Sequence, residues 1–238
     1  MKIIWIIFKK EFTSYFTSPI AYIYISIFTL FTGWFFFRGF FLYGQATMRE
    51  FFSLLPWIFL FFIPAVTMRT WSEEKKMDTI EILLTLPVKD YQVIMGKYFA
   101  SLLLVTIAIF LTLPLYLVVS LLGSPDHGVI VCGYLGSVLL GAAYLSIGSF
   151  VSSLSENQIV AFILGVTLSF ILFILGENIV LYSLPYSVST VLHYLGLGSH
   201  FESISRGVLD SRDIVYYISI IFFFIYLNMQ SLEKRKWQ

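Results

Sequence analysis

Apolar residues run in long blocks along this chain, separated by short polar segments, and the block lengths define the elements. A helix rising 1.5 Å per residue needs about 20 apolar residues to cross a hydrocarbon core of about 30 Å. Six blocks read as crossings: roughly residues 20–37, 51–68, 91–122, 129–151, 158–175 and 214–230. Arg38 closes the first, the second contains Pro56 and Pro64 as expected kinks, and the third is longer than one bilayer requires. The first two turns of the third, carrying Gln92 and Lys97, are expected to project on one side.

The segments between the blocks have patterns of their own. Over residues 1–16, Ile3, Ile4, Ile7, Phe8 and Phe12 fall at helical spacing among Lys2, Lys9, Lys10 and Glu11. That is the pattern of a short amphipathic helix lying in the membrane interface. Ser18 and Pro19 then supply a stop and a restart. The longest connection, residues 176–213, predicts two short helices on or dipping into one face between 184 and 207, joined through Gly196 and Gly198. Ser199 to Glu202 reads as a capping box, Phe201, Ile204 and Val208 recur at helical spacing, and Gly207 is a natural stop.

One connection is a polar island. Residues 68–87 hold four acids and three bases between two bilayer-length apolar blocks. The spacing predicts a helix over 70–87, started by Thr70 or Ser72, with Glu73 and Glu74 at the positive end of its dipole. Met77, Ile80 and Leu84 line one face with Leu83 beside them, Glu74, Asp78 and Glu81 line the other, and Pro87 ends it. A helix resting on anionic lipid usually carries lysine and arginine on its polar face. Here acids outnumber bases, so a protein groove is the better partner.

Composition fixes the class. The chain is 58% hydrophobic, 19% aromatic and 12% charged, where soluble domains carry about 25% charged residues. The expectation is an all-α integral membrane protein. A net charge of +1 without a basic stripe offers no surface for nucleic acid. The single cysteine, Cys132, excludes an internal disulfide or a multi-cysteine metal site. The first apolar run, Ile3 to Phe8, is too short for a signal peptide and is followed by Lys9, Lys10 and Glu11. Eleven of the lysines and arginines fall on the side of the termini and the island, and four on the other side. The positive-inside rule then places both termini and the island in the cytoplasm.

Candidate chemistry is sparse. Gly96 and Lys97 do not make a phosphate loop, because Tyr91 and Tyr98 stand where glycine and serine or threonine are required. His193 and His200, with Glu202, match no standard zinc spacing, and His127 beside Asp126 reads as a solvated turn. The cores of the six blocks carry no Asp, Glu, Lys, Arg or His, and Glu156 and Glu177 sit at block ends. This disfavours intramembrane catalysis and ion-coupled transport alike, so energy is expected from outside the chain. Gly133, Ser137 and Gly141, and more weakly Gly165 and Ser169, have the spacing that lets helices approach closely, either within the chain or between subunits.

The island and its exit resemble the permease of an ABC-2 type ATP-binding-cassette exporter. Family members carry an acidic-basic cluster, then Thr-(Ile/Leu)-Glu-(Leu/Ile)-Leu-Leu-x-x-Pro, then Gly-Lys opening the next crossing. The matching residues are Glu73 to Lys76, Thr79 to Pro87, and Gly96 with Lys97, while Asp78 stands where the family commonly has glycine. Residues 194–213 and 231–237 resemble the gliding-motility-type branch.

The resemblance implies a single six-helix permease domain over residues 1–238, a multi-pass protein of the bacterial inner membrane, with an interfacial helix, a coupling helix and outer helices. It implies an ABC ATPase subunit as partner, binding the ATP and magnesium for which this chain needs no site of its own, and a second permease half, identical or different, in membrane lipid. On that basis Trp71, Glu73, Glu74, Thr79, Glu81 and Leu84 are the expected ATPase contacts, and His200, Glu202 and Arg206 belong to the outer helices. A non-transporting anchor or mechanical transmitter, working through the outer helices on an external protein, is the alternative.

Overall fold

The computed structural model describes residues 2–45, 47–79, 88–182 and 185–235. Among these residues every regular element is a helix. In chain order they are α1 (Lys2–Thr17), α2 (Ile20–Tyr43), α3 (Arg49–Thr67), α4 (Arg69–Lys76), α5 (Asp90–Phe110) and α6 (Leu113–Leu122). They continue with α7 (His127–Ser152), α8 (Gln158–Ile174), α9 (Asn178–Leu181), α10 (Tyr186–Leu195), α11 (Leu197–Ser205) and α12 (Ser211–Arg235).

Five stretches are long and apolar enough to cross a membrane: Ile20–Leu42, Arg49–Lys76, Asp90–Leu122, His127–Ser152 and Ser211–Glu233. The expected fifth crossing is α8, an apolar helix of 17 residues, about 25 Å long at the α-helical rise. The block expected over 91–122 is two helices rather than one. Pro114, near the start of α6, has no N–H with which to continue the ladder. The chain turns at Leu111 and Thr112, where the Thr112 hydroxyl donates to the carbonyl of Ile109 at 2.6 Å. In α3, by contrast, the helix runs through both Pro56 and Pro64.

The bundle is built around α7, which touches α3, α5, α8, α11 and α12. Its small residues make that possible. A Cβ on Gly133 would fall within the Phe52 ring, one on Gly148 would strike Thr67, and one on Gly141 would lie 3.4 Å from Val105. The small-residue stripe is therefore used for packing inside the chain, with Ser137 fully buried in it. Gly165 likewise faces Pro64, whose Cβ would lie 3.3 Å away. Tyr98 on α5 donates to the carbonyl of Ala142 on α7 at 3.0 Å. By contrast, α2 buries only a stripe of Ala21, Tyr24, Phe28, Thr32 and Phe36, while Leu30, Trp34 and Phe41 stay exposed.

At the far end of the bundle from α4, the expected pair of short helices is present as α10 and α11, preceded by the short α9. The two behave differently. α10 buries no residue, whereas α11 inserts among α3, α7, α8 and α12 with Leu197, Phe201 and Ile204 buried and Ile204 filling the space beside Gly136 of α7. Ser199 does not act as the expected cap. It lies inside α11, where its hydroxyl contacts the carbonyls of His193 and Gly196 at 2.6 and 2.8 Å. Gly207 does end this element, at φ +90, and Val208 is exposed rather than part of the buried stripe.

Candidate functional site

The polar island forms a junction between α1, α4 and α5. Its geometry starts from Gly96 and Lys97. A Cβ on Gly96 would lie 2.7 Å from Cγ2 of Ile7 and 3.2 Å from the carbonyl of Ile4, so only glycine lets α1 lie this close to α5. The next residue, Lys97, is 4% exposed and does not project away as expected. Its ammonium donates to Glu74 Oε1 at 2.7 Å, to Glu11 Oε1 at 3.3 Å and to the carbonyl of Thr70 at 3.1 Å. All three of its donors are thereby engaged, and it sits 5.1 Å from the centre of the Trp71 ring. A lysine buried this deeply is stable only with such partners.

Tyr15 adds a second tie between α1 and α5, with its hydroxyl 2.9 Å from Ser101 Oγ. Burial pushes the Tyr15 hydroxyl above its ordinary pKa. Together these elements enclose a cavity of about 590 Å³, lined by Lys10, Glu11, Arg69, Glu73, Glu74 and Lys97 among others. Arg69 pairs with Glu73 on its rim, Nε to Oε2 at 3.1 Å. Thr70 and Glu74 both line the cavity, and Thr70 Oγ1 and Glu74 Oε2 have no hydrogen-bond partner among the described residues.

The helix itself departs from expectation. It was expected over 70–87, but α4 ends at Lys76 and the chain turns at Met77 and Asp78. Asp78 has φ +54, the only positive φ outside glycine among the described residues. The resemblance leads to an expectation of glycine at this position, and left-handed backbone is a conformation that glycine adopts without a Cβ penalty. Thr79 follows, its hydroxyl donating to the carbonyl of Glu74 at 3.3 Å. Glu81 and Leu84 lie outside the described residues, as do Ile80, Leu83 and Pro87.

Neither Thr70 nor Ser72 caps α4. Met68 occupies the cap position without a side-chain bond, and the Ser72 hydroxyl donates back to its carbonyl. The polar groups at this end are met instead by α7. Ser152 Oγ accepts from the backbone N–H of Trp71 at 3.1 Å and of Ser72 at 3.3 Å, and donates to the carbonyl of Met68 at 3.0 Å. The Trp71 indole N–H donates to Ser149 Oγ at 3.3 Å. Asn228 of α12 donates to the same Ser149 oxygen at 2.9 Å, and Lys75 donates to the carbonyl of Ser153. Trp71 is 1% exposed, so its side chain faces the bundle.

Of the expected contacts, Glu73, Glu74 and Thr79 are therefore brought around one cavity, while Trp71 anchors the helix from within. Lys97 and Ser152 were not among the expected site residues. Lys97 was marked by its place directly after a glycine at a helix start. Ser152 carried no signal of its own.

At the far end, His200 is buried. Its Nδ1 lies 2.7 Å from Asp213 Oδ1 and its Nε2 lies 2.9 Å from the carbonyl of Tyr194, so both ring nitrogens are occupied. Ser203 donates to the other Asp213 oxygen at 2.5 Å, and the Tyr216 ring stacks on the imidazole at 3.9 Å. The group ties α11 to α12. Glu202 and Arg206 form an exposed i, i+4 ion pair on α11.

A family model described as an ABC-2 family transporter protein matches residues 38–229. No curated protein matches the sequence. The match covers everything from the end of α2 to the last turns of α12, including α4 and α5, while α1 with Glu11 and Tyr15 lies before it. With its membrane-length apolar helices, this chain belongs to the ABC-2 transporter family and is a multi-pass membrane permease component of an ABC transporter.

Proposed function

We propose that this chain is the permease subunit of an ATP-driven exporter of the gliding-motility-type branch, coupled to a separate ATPase subunit at α4 and the residues after it. The observation that carries the reading is the α1–α4–α5 cavity of about 590 Å³, polar on its rim. Thr70 Oγ1 and Glu74 Oε2 in its lining have no partner among the described residues. A docking helix or loop from the ATPase would meet Glu73, Glu74 and Thr79 there, and Glu81 and Leu84, which lie outside the described residues, in the sequence that follows. In this reading six crossings span the bacterial inner membrane, with α8 as the short fifth, and both termini and α4 face the cytoplasm. ATP and magnesium are held by the ATPase, and a second permease half, identical or different, completes the path for substrate. Replacing Glu81 and Leu84 together by lysine abolishes copurification of the ATPase subunit while membrane insertion is retained. Undiminished copurification overturns the reading.

A second reading is favoured by α10, which buries no residue and presents Tyr186, Val191 and Tyr194 outward. In that case the complex is a membrane anchor or mechanical transmitter whose working surface is the outer helices. Crosslinking separates the two readings. Substrate captured between the crossings supports export, and protein partners captured only at α10 and α11 support transmission.

A further inference from the structure

The α4 junction and the outer helices stand at opposite ends of the bundle, yet both are fastened to the same two helices. At the α4 end, Ser152 of α7 holds the backbone of Met68, Trp71 and Ser72 through one hydroxyl. Ser149 of α7 joins the Trp71 indole to Asn228 of α12, and Ser231 of α12 donates to the carbonyl of Ser153 at 3.3 Å. At the far end, Asp213 of α12 holds His200 and Ser203 of α11. Tyr217 of α12 donates to the carbonyl of Leu197 at 2.8 Å, and Ile204 of α11 seats beside Gly136 of α7. Between these ends α7 and α12 pack directly, with the Phe150 and Phe224 rings 5.8 Å apart.

We propose that α7 and α12 act as one strut carrying displacement of α4 to α11, with Ser152 as the positioning residue that fastens α4 to it. The inference rests on the coupling reading given above. Its physical basis is the bonding where α3 passes into α4 at Met68. The first backbone N–H groups of a helix have no partner within it. In α4 two of the four are met by a residue from another crossing, so α4 cannot shift or tilt without drawing on α7 or breaking buried hydrogen bonds. The Trp71 indole, fully enclosed, adds a rigid lever against Ser149 and, through it, Asn228. The route therefore leads from α4 across to α7 and α12, rather than only along the adjoining α3.

The test uses the permease–ATPase complex in lipid nanodiscs. Cys132 is replaced by alanine and an environment-sensitive fluorophore is attached at Glu202→Cys, a position on α11 whose side chain is 59% exposed. Addition of ATP and magnesium changes the emission of the otherwise unaltered complex. Ser152→Ala reduces that change by about five-fold or more while the ATPase subunit still copurifies. Ser146→Ala, which removes an equally buried hydroxyl bonded only within α7, leaves the change intact. Where Ser152→Ala fails to fold, Asn228→Leu carries the same test. It removes the bond to Ser149 together with Oδ1, an atom with no partner among the described residues, and so is not expected to destabilise the fold. A full response in Ser152→Ala or Asn228→Leu overturns the strut. So does a complex that hydrolyses ATP with no change at α11. Failure of the ATPase to copurify with the unaltered permease overturns the coupling reading instead.

Discussion

The ammonium of Lys97 lies 2.7 Å from Oε1 of Glu74, joining the start of α5 to α4 across 23 positions of sequence. Glu11 of α1 approaches the same nitrogen, so one buried cation holds three helices that local sequence leaves independent. Removing it strands two carboxylates in a partly dry site. Lys97→Met is expected to lower stability by about 3 kcal/mol, the lower end of the range for breaking a buried ion pair, since both acids keep some solvent contact. Thermal unfolding in detergent measures the loss, and adding Glu74→Gln to Lys97→Met should recover part of it.

Gly96 is the steric counterpart of Lys97. Gly96→Ala places a methyl 2.7 Å from the Ile7 side chain and 3.2 Å from the Ile4 carbonyl, so α1 must shift as a backbone unit. The expected cost is about 1–3 kcal/mol, the usual range for overpacking. Limited proteolysis should show faster cleavage within α1, and Gly33→Ala, where no atom lies within 4 Å, is the control.

Asp78 occupies left-handed backbone at φ +54. Asp78→Gly should be neutral or stabilising, because glycine adopts this conformation without a Cβ penalty. Asp78→Val should cost about 1–2 kcal/mol in the same unfolding measurement.

At the far end, the His200–Asp213 pair is buried and each member has a further hydrogen-bond partner. Asp213→Ala leaves the buried Nδ1 of His200 without its partner, while the Ser203 hydroxyl keeps the carbonyl of His200 as acceptor at 3.0 Å, and is expected to cost about 3 kcal/mol. Proteolysis near Gly207 should increase as α11 loosens from α12.

Glu177 follows α8, where burial first and the Glu202 charge second raise its carboxyl above the ordinary pKa. A carboxyl raised in the folded state binds its proton more tightly there than in the unfolded chain. Its stabilising contribution is full below the unfolded pKa and is lost as pH rises through the folded value. Glu177→Gln should therefore raise the unfolding midpoint relative to the native chain at neutral pH. The difference should shrink as pH falls below the ordinary glutamate range.

The sequence alone was enough to place most elements. Block length located the five stretches long and apolar enough to cross a membrane, because spanning a bilayer is a one-dimensional requirement on consecutive residues. Local chemistry fixed the polar island and the stop at Gly207, and the ABC-2 pattern picked out Asp78 and the Gly96–Lys97 pair. Pro114 shows a local signal overlooked: its missing N–H breaks what composition presents as one long apolar block.

Tertiary structure decided the partners. Lys97 reads as a lone charge until packing brings Glu11 and Glu74 to it, and His200 reads as a surface histidine until α12 supplies Asp213. Trp71 looks like a docking residue in a polar segment, yet its indole points into the bundle toward a serine 78 positions away. The cap of α4 is the clearest case. Ser152 is an ordinary helix-end serine in the chain, and it meets the α4 backbone only because small residues along α7 let α3 lie close beside it. Periodicity records which face of a helix is apolar. Which neighbour that face meets, and at what height, depends on interlocking side chains far apart in sequence, and those contacts exist only once the bundle has closed.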